Sequence, residues 1–91
     1  MQVDRSKTGR PVGLIVLVGV RPGQLPEVAR QLAEVEQVND VLEVHGEYEI
    51  LLRLYCNDTE TLRSILTEKI RKLPGVKATT VLYIFKNWKE T

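Results

Sequence analysis

Nine residues in succession, Val12-Gly13-Leu14-Ile15-Val16-Leu17-Val18-Gly19-Val20, are apolar or glycine, and Arg21-Pro22-Gly23 cuts the run off. The run is less than half of the ~20 residues that a membrane-spanning helix needs. No small-residue cleavage site follows it, which excludes a signal peptide. Its β-branched content predicts a strand. Beyond the turn, Leu25, Val28, Ala29, Leu32 and Ala33 recur at helical spacing, with Glu27, Arg30 and Glu34 on the opposite side. This predicts a helix from Leu25 to Glu36, with Pro26 in the first turn, where a missing N–H costs nothing. A second strand is expected from Val38 to His45, a tight hairpin turn at Gly46, and a third strand from Tyr48 to Cys56. Asp58 is placed to cap a second helix from Thr59 to Lys72, whose apolar stripe is Leu62, Ile65, Leu66, Ile70 and Leu73. Pro74-Gly75 stops that helix, and a fourth strand runs from Lys77 to Phe85.

The order is β-α-β-β-α-β, the ferredoxin-like split pattern. The fold class is therefore α+β, a four-stranded antiparallel sheet with two helices on one face, the chain type that also builds dimeric α/β barrels. Residues 1–11 are polar and aperiodic and read as a loose arm, 12–86 as the folded domain, and 87–91 as a short tail containing Trp88. Each half closes on a similar junction, Val35-Glu36-Gln37-Val38 and Leu73-Pro74-Gly75-Val76, too short to establish a duplication.

A sheet covered by helices on one face should be polar on the other. Here it is not. Ile15 and Leu17 oppose Leu14, Val16 and Val18; Leu51 and Tyr55 oppose Ile50, Leu52 and Leu54; Leu82 and Ile84 alternate with Val81, Tyr83 and Phe85. An apolar second face in three strands points to a covering copy of the chain. Leu51, Tyr55, Tyr83 and Phe85 are the residues expected to carry it. Scattered surface apolar residues, which are common, are the plainer alternative.

Composition narrows the function. With 91 residues the chain holds one small domain, and 43% hydrophobic with 27% charged residues is ordinary globular usage. A net charge of +1 gives no broad field for nucleic acid or anionic membrane. Lys69, Arg71, Lys72 and Lys77 gather at the end of the second helix, where they suit its dipole and solubility. One cysteine, Cys56, and one histidine, His45, exclude the usual zinc clusters and an internal disulfide. Cys56 reads as a small apolar packing residue in a reducing cytoplasm. No cofactor is implied.

Candidate chemistry concentrates in His45-Gly46-Glu47-Tyr48-Glu49. Gly46 supplies a positive φ for the hairpin, and its neighbours are turn-flanking polar residues on the bland reading. The functional reading is that open backbone and acidic groups hold a small polar ligand. Glu47 and Glu49 could do acid–base work, yet no nucleophile or metal ligand lies nearby in sequence.

Several segments together resemble one family. They are Val38-Asn39-Asp40-Val41, Val44-His45-Gly46-Glu47-Tyr48-Glu49-Ile50-Leu51-Leu52, Asp58, and Lys69-Ile70-Arg71-Lys72-Leu73-Pro74-Gly75-Val76 with Thr79. The chain from Leu14 to Phe85 is similar to the effector-binding (RAM) domain of the Lrp/AsnC transcriptional regulators. The resemblance implies dimers formed through the sheets, dimers assembling into rings, often octamers, and amino-acid effectors bound between dimers. It implies an effector site of Gly46, Glu47, Tyr48 and Glu49, with Thr79 from strand four. Two positions depart from the family pattern: Glu49 stands where aspartate is common, and Val81 where a second threonine or serine is frequent. Full-length regulators carry an N-terminal helix-turn-helix ahead of this domain. The expectation is thus a non-enzymatic, cytoplasmic effector module that contacts neither DNA nor membrane directly and that joins copies of itself or full-length regulators. The alternatives are a small dimeric α/β-barrel enzyme, disfavoured by aliphatic helix-facing positions, and a ligand-free assembly partner.

Overall fold

A computed structural model describes residues 12–56, 58–84 and 88–89. The nine-residue run forms strand β1 (Val12–Val20). Helix α1 (Leu25–Ala33) follows, then β2 (Val38–Glu43), β3 (Ile50–Cys56), helix α2 (Thr59–Ile65), a π-helical turn (Leu66–Ile70) and β4 (Val76–Tyr83). The sheet order is β2-β3-β1-β4, with every pairing antiparallel. This is the α+β, ferredoxin-like arrangement expected.

Register sorts the side chains. Val16 pairs with Leu52 on one side and Val81 on the other, and Val18 with Ile50 and Thr79. Directly opposed residues share a face, so Leu14, Val16 and Val18 lie beside Leu54, Leu52 and Ile50. All six are buried, in one cluster with Val28 and Leu32 of α1 and Leu62, Ile65, Leu66 and Ile70 of the second helical segment. Both helices therefore cover the same face. Each of these side chains contributes about 1.5–3 kcal/mol by leaving water.

The other face carries Ile15 and Leu17 of β1 and Leu51, Arg53 and Tyr55 of β3. It also carries Asp40 and Leu42 of β2 and Thr80 and Leu82 of β4. Ile15, Leu17 and Leu51 are half-buried, while Leu42, Leu82 and Ile84 remain 44–47% exposed. A Cβ on Gly13 would meet Ile84 Cδ1 at 3.3 Å and Tyr55 Cε1 at 3.4 Å, so these two side chains close over the glycine. Arg53 and Asp40 form an ion pair at 3.3 Å on this face.

Five expectations need correcting. Tyr83 opposes Leu14, so it belongs to the helix-covered face, and Leu82 and Ile84 take its place on the open one. Helix α1 stops at Ala33, because the N–H groups of Glu34 and Val35 turn back to Gln31 and Leu32 and bring Val35 onto the core. The hairpin between β2 and β3 is not tight. Residues 44–49 form a loop closed by Val44 N–H donating to Glu49 O at 2.9 Å. The second helix does not run as an α-helix to Lys72. Arg71 N–H reaches back five residues to Leu66 O at 2.8 Å, a π turn. β4 starts at Val76 and ends at Tyr83, one and two residues before the expected bounds. The side chain of Cys56, the residue Phe85 and the arm over 1–11 lie outside the described residues.

Candidate functional site

The β2–β3 loop presents the glycine-centred segment. Gly46 has φ +155°, and among the described residues nothing lies within 4 Å of where its Cβ would be. His45 and Glu47 are exposed beside it, while Tyr48 and Glu49 are half-buried. The positive φ explains the glycine. The open space means that a ligand can approach the main chain there.

Glu49 is tied to the sheet. Its Oε1 accepts from Val20 N–H at 2.8 Å, and its own N–H donates to Val18 O at 3.1 Å. The carboxylate thus extends the pairing of β1 past the point where the β3 ladder ends. Among the described residues Oε2 accepts no hydrogen bond, which leaves it for a further donor. Tyr48 reaches in another direction. Its hydroxyl lies 2.5 Å from Thr80 Oγ1, a residue opposed to Leu17 and hence on the open face. The loop is anchored on two strands, at Val18 and Val20 of β1 and at Thr80 of β4.

Thr79 is not brought beside Tyr48. Adjacent strand residues point to opposite faces, and Thr79 opposes Val18 on the helix-covered side. Its Oγ1 accepts from Arg71 Nε at 3.0 Å. Thr80, the residue that does meet the loop, was not singled out in the sequence. The signal for it is parity alone, since Thr80 shares a face with Leu17 and Leu51.

Among the described residues no group of three or more His, Cys, Asp or Glu side chains could hold a metal ion. No described helix is long and apolar enough to cross a membrane. The ion pairs among them are Arg30 with Glu27 and Glu34 on exposed α1, and Arg53 with Asp40. The Arg30 hydrogen bonds hold the Glu27 carboxyl below its ordinary range.

The model of the Lrp/AsnC ligand binding domain matches residues 14–91. HTH-type transcriptional regulator FL11 of Pyrococcus abyssi is 33% identical over 89 residues, covering 98% of this chain but 58% of the regulator. The chain thus spans a little over half the length of that relative. TTHA0845 of Thermus thermophilus superposes with a TM-score of 0.81 at 28% identity, over 87% of this chain and 99% of that one. The transcriptional regulator NMB0573 of Neisseria meningitidis, solved as an L-Met complex, gives a TM-score of 0.83 at 15% identity. It covers 100% of this chain and 60% of the regulator, a likeness of fold. The family match spans nearly the whole folded chain, and the loop, the sheet and the helices lie within it: the chain belongs to the Lrp/AsnC ligand-binding domain family.

Proposed function

We propose that this domain binds a free amino acid at the β2–β3 loop and passes that binding on through the assembly of its copies in the cytoplasm. The observation that carries the reading is the open main chain at Gly46 in a domain of the Lrp/AsnC ligand-binding family. An amino acid offers an ammonium and a carboxylate. Backbone N–H groups around Gly46 suit the carboxylate. Glu49 Oε2, or Glu47, suits the ammonium. Tyr48 supplies a wall; Thr79 is the proposed hydroxyl from β4, and because it faces the helices and accepts from Arg71, a ligand would reach it only past the edge of β4. The L-Met held by NMB0573, a protein of the same fold, supports the ligand class.

Assembly uses the open sheet face. Its half-buried and exposed apolar side chains are what a second copy would cover, as in a dimeric α/β barrel. Dimers joining further, with octamers the expected size, and mixed assembly with full-length regulators of the family complete the proposal. Direct contact with DNA is not part of it, because a net charge of +1 gives no broad attractive field for nucleic acid.

Heat-denaturation scans against each of the twenty amino acids test the ligand. A ligand at a hundred times its dissociation constant stabilises by about 2.7 kcal/mol. One or a few amino acids should raise the midpoint of the wild type and leave Gly46→Trp, which fills the loop, unmoved. If none acts on the wild type, the domain is an assembly partner without effector chemistry.

A further inference from the structure

Two irregularities of the backbone meet at one place. The π turn over Leu66–Ile70 ends helix two and delivers Arg71 toward β4, where its Nε donates to Thr79 Oγ1 at 3.0 Å. On β4 the pairing with β1 slips between Gly19 and Val20, from Ala78 to Val76, so that Lys77 is the bulged residue. Bulges re-aim side chains, and π turns cost backbone hydrogen-bond quality, so both are features that packing alone does not ask for. The Lys77 stem runs over Gly19, its Cγ 3.5 Å from where a Cβ would stand, an ordinary contact distance.

Between the two lies a cleft of about 350 Å³, lined by Arg71, Val76, Lys77, Ala78 and Thr79. Of the five described residues that line it, two are cations and none is an acid. Neither cation takes part in an ion pair among the described residues. Glu68 is the one acidic residue between positions 66 and 80. Thr79 fixes Arg71 through Nε, which leaves the two terminal nitrogens, the fork that grips carboxylate and phosphate, for another partner. β4 is an edge strand, so the main-chain N–H groups on its outer edge have no ladder partner among the described residues.

We propose that this cleft binds the anionic group, carboxylate or phosphate, of a small molecule, with Arg71 as the gripping residue, Lys77 as the second cation and Thr79 holding Arg71 in place. The cleft shares Thr79 with the loop site and none of Gly46, Glu47, Tyr48 or Glu49, so Gly46→Trp separates the two.

Chemical protection tests this in the assembled protein. Phenylglyoxal modification of the arginines is followed by mass spectrometry in sodium phosphate, in sodium acetate, and in sodium chloride of equal ionic strength. Arg71 should be protected saturably by phosphate, acetate or both, which also identifies the anion, while Arg63 and Arg21 react as in chloride. Lys77→Gln should raise the concentration needed by about tenfold, the factor expected for losing one charge-assisted contact. Gly46→Trp should leave the protection unchanged. The proposal is overturned if Arg71 reacts equally in all three salts, if every arginine is protected in parallel, or if Gly46→Trp abolishes the effect. It is also overturned if Arg71 is inert throughout, which would show the cleft closed to small molecules.

Discussion

The Tyr48 hydroxyl and Thr80 Oγ1 stand 2.5 Å apart, joining the β2–β3 loop to edge strand β4 across the width of β1. The bond lies on the open face of the sheet, the face that assembly is proposed to cover. A ligand that moves Tyr48 would therefore be felt where a second copy would sit. Removing this contact should loosen the loop without disturbing the core. Tyr48→Phe and Thr80→Val should each cost about 0.5–1.5 kcal/mol in urea denaturation, and the double variant less than their sum, since the two share one hydrogen bond. Full additivity would show that the bond does not hold in solution.

Gly75 sits at the junction of helix two and β4 with φ +96°, and a Cβ there would come within 2.8 Å of Gln24 Cβ and 2.9 Å of Val28 Cγ2. Left-handed backbone costs a non-glycine residue about 1–2 kcal/mol, and overpacking adds about 1–3. Gly75→Ala should therefore lose about 2–5 kcal/mol by denaturant titration. Gly46→Ala, with positive φ but open space, should lose clearly less. Equal losses would remove the packing argument for the Leu-Pro-Gly-Val junction.

Asp58 caps helix α2, accepting from Thr61 N–H at 2.7 Å, and these hydrogen bonds hold its carboxyl below the ordinary aspartate range. A carboxyl depressed in the folded state stabilises fully above its unfolded pKa and loses that contribution as pH falls through the folded value. Thermal midpoints measured from pH 6 down to pH 2, limits set about two units either side of ordinary aspartate titration, should fall less steeply for Asp58→Asn than for wild type. Parallel curves would show that the cap is not charge-assisted.

The open face predicts a further separation of folding from assembly. Leu82 is 47% exposed in the single chain, so Leu82→Glu should fold with near-native circular dichroism. In an assembly the same charge would be buried without a partner, at a cost of several kcal/mol. Gel filtration should place Leu82→Glu at a smaller size than wild type. Coelution of the two would exclude Leu82 from the interface.

Much of this architecture is legible in the sequence because it follows from periodicity. β1 has the bounds that Arg21-Pro22-Gly23 imposes, and Asp58 caps the helix as its spacing from Thr61 requires. Both apolar faces of the sheet also follow from alternation. What escapes is set by single hydrogen bonds. The π turn leaves Leu62, Ile65, Leu66 and Ile70 at ordinary helical spacing, so no apolar signal marks it. The loop over 44–49 is wide because Val44 N–H closes it onto Glu49 O, a choice that residue types do not announce. The parity of β4, which sends Tyr83 to the helices and Thr80 to Tyr48, depends on register with β1 and is fixed only in three dimensions. For the same reason Thr79 and the hairpin segment, grouped in one site by the resemblance, are held by different partners here.

The central claim is that this domain assembles through its open sheet face and that an amino acid at the loop alters the assembly. Multi-angle light scattering at micromolar concentration, without and with the amino acid found by the denaturation scans, addresses both parts at once. The account predicts a particle of at least two 10.4 kDa chains whose mass distribution shifts with that amino acid and not with Gly46→Trp. A 10.4 kDa monomer at every concentration, with or without each of the twenty amino acids, would contradict it.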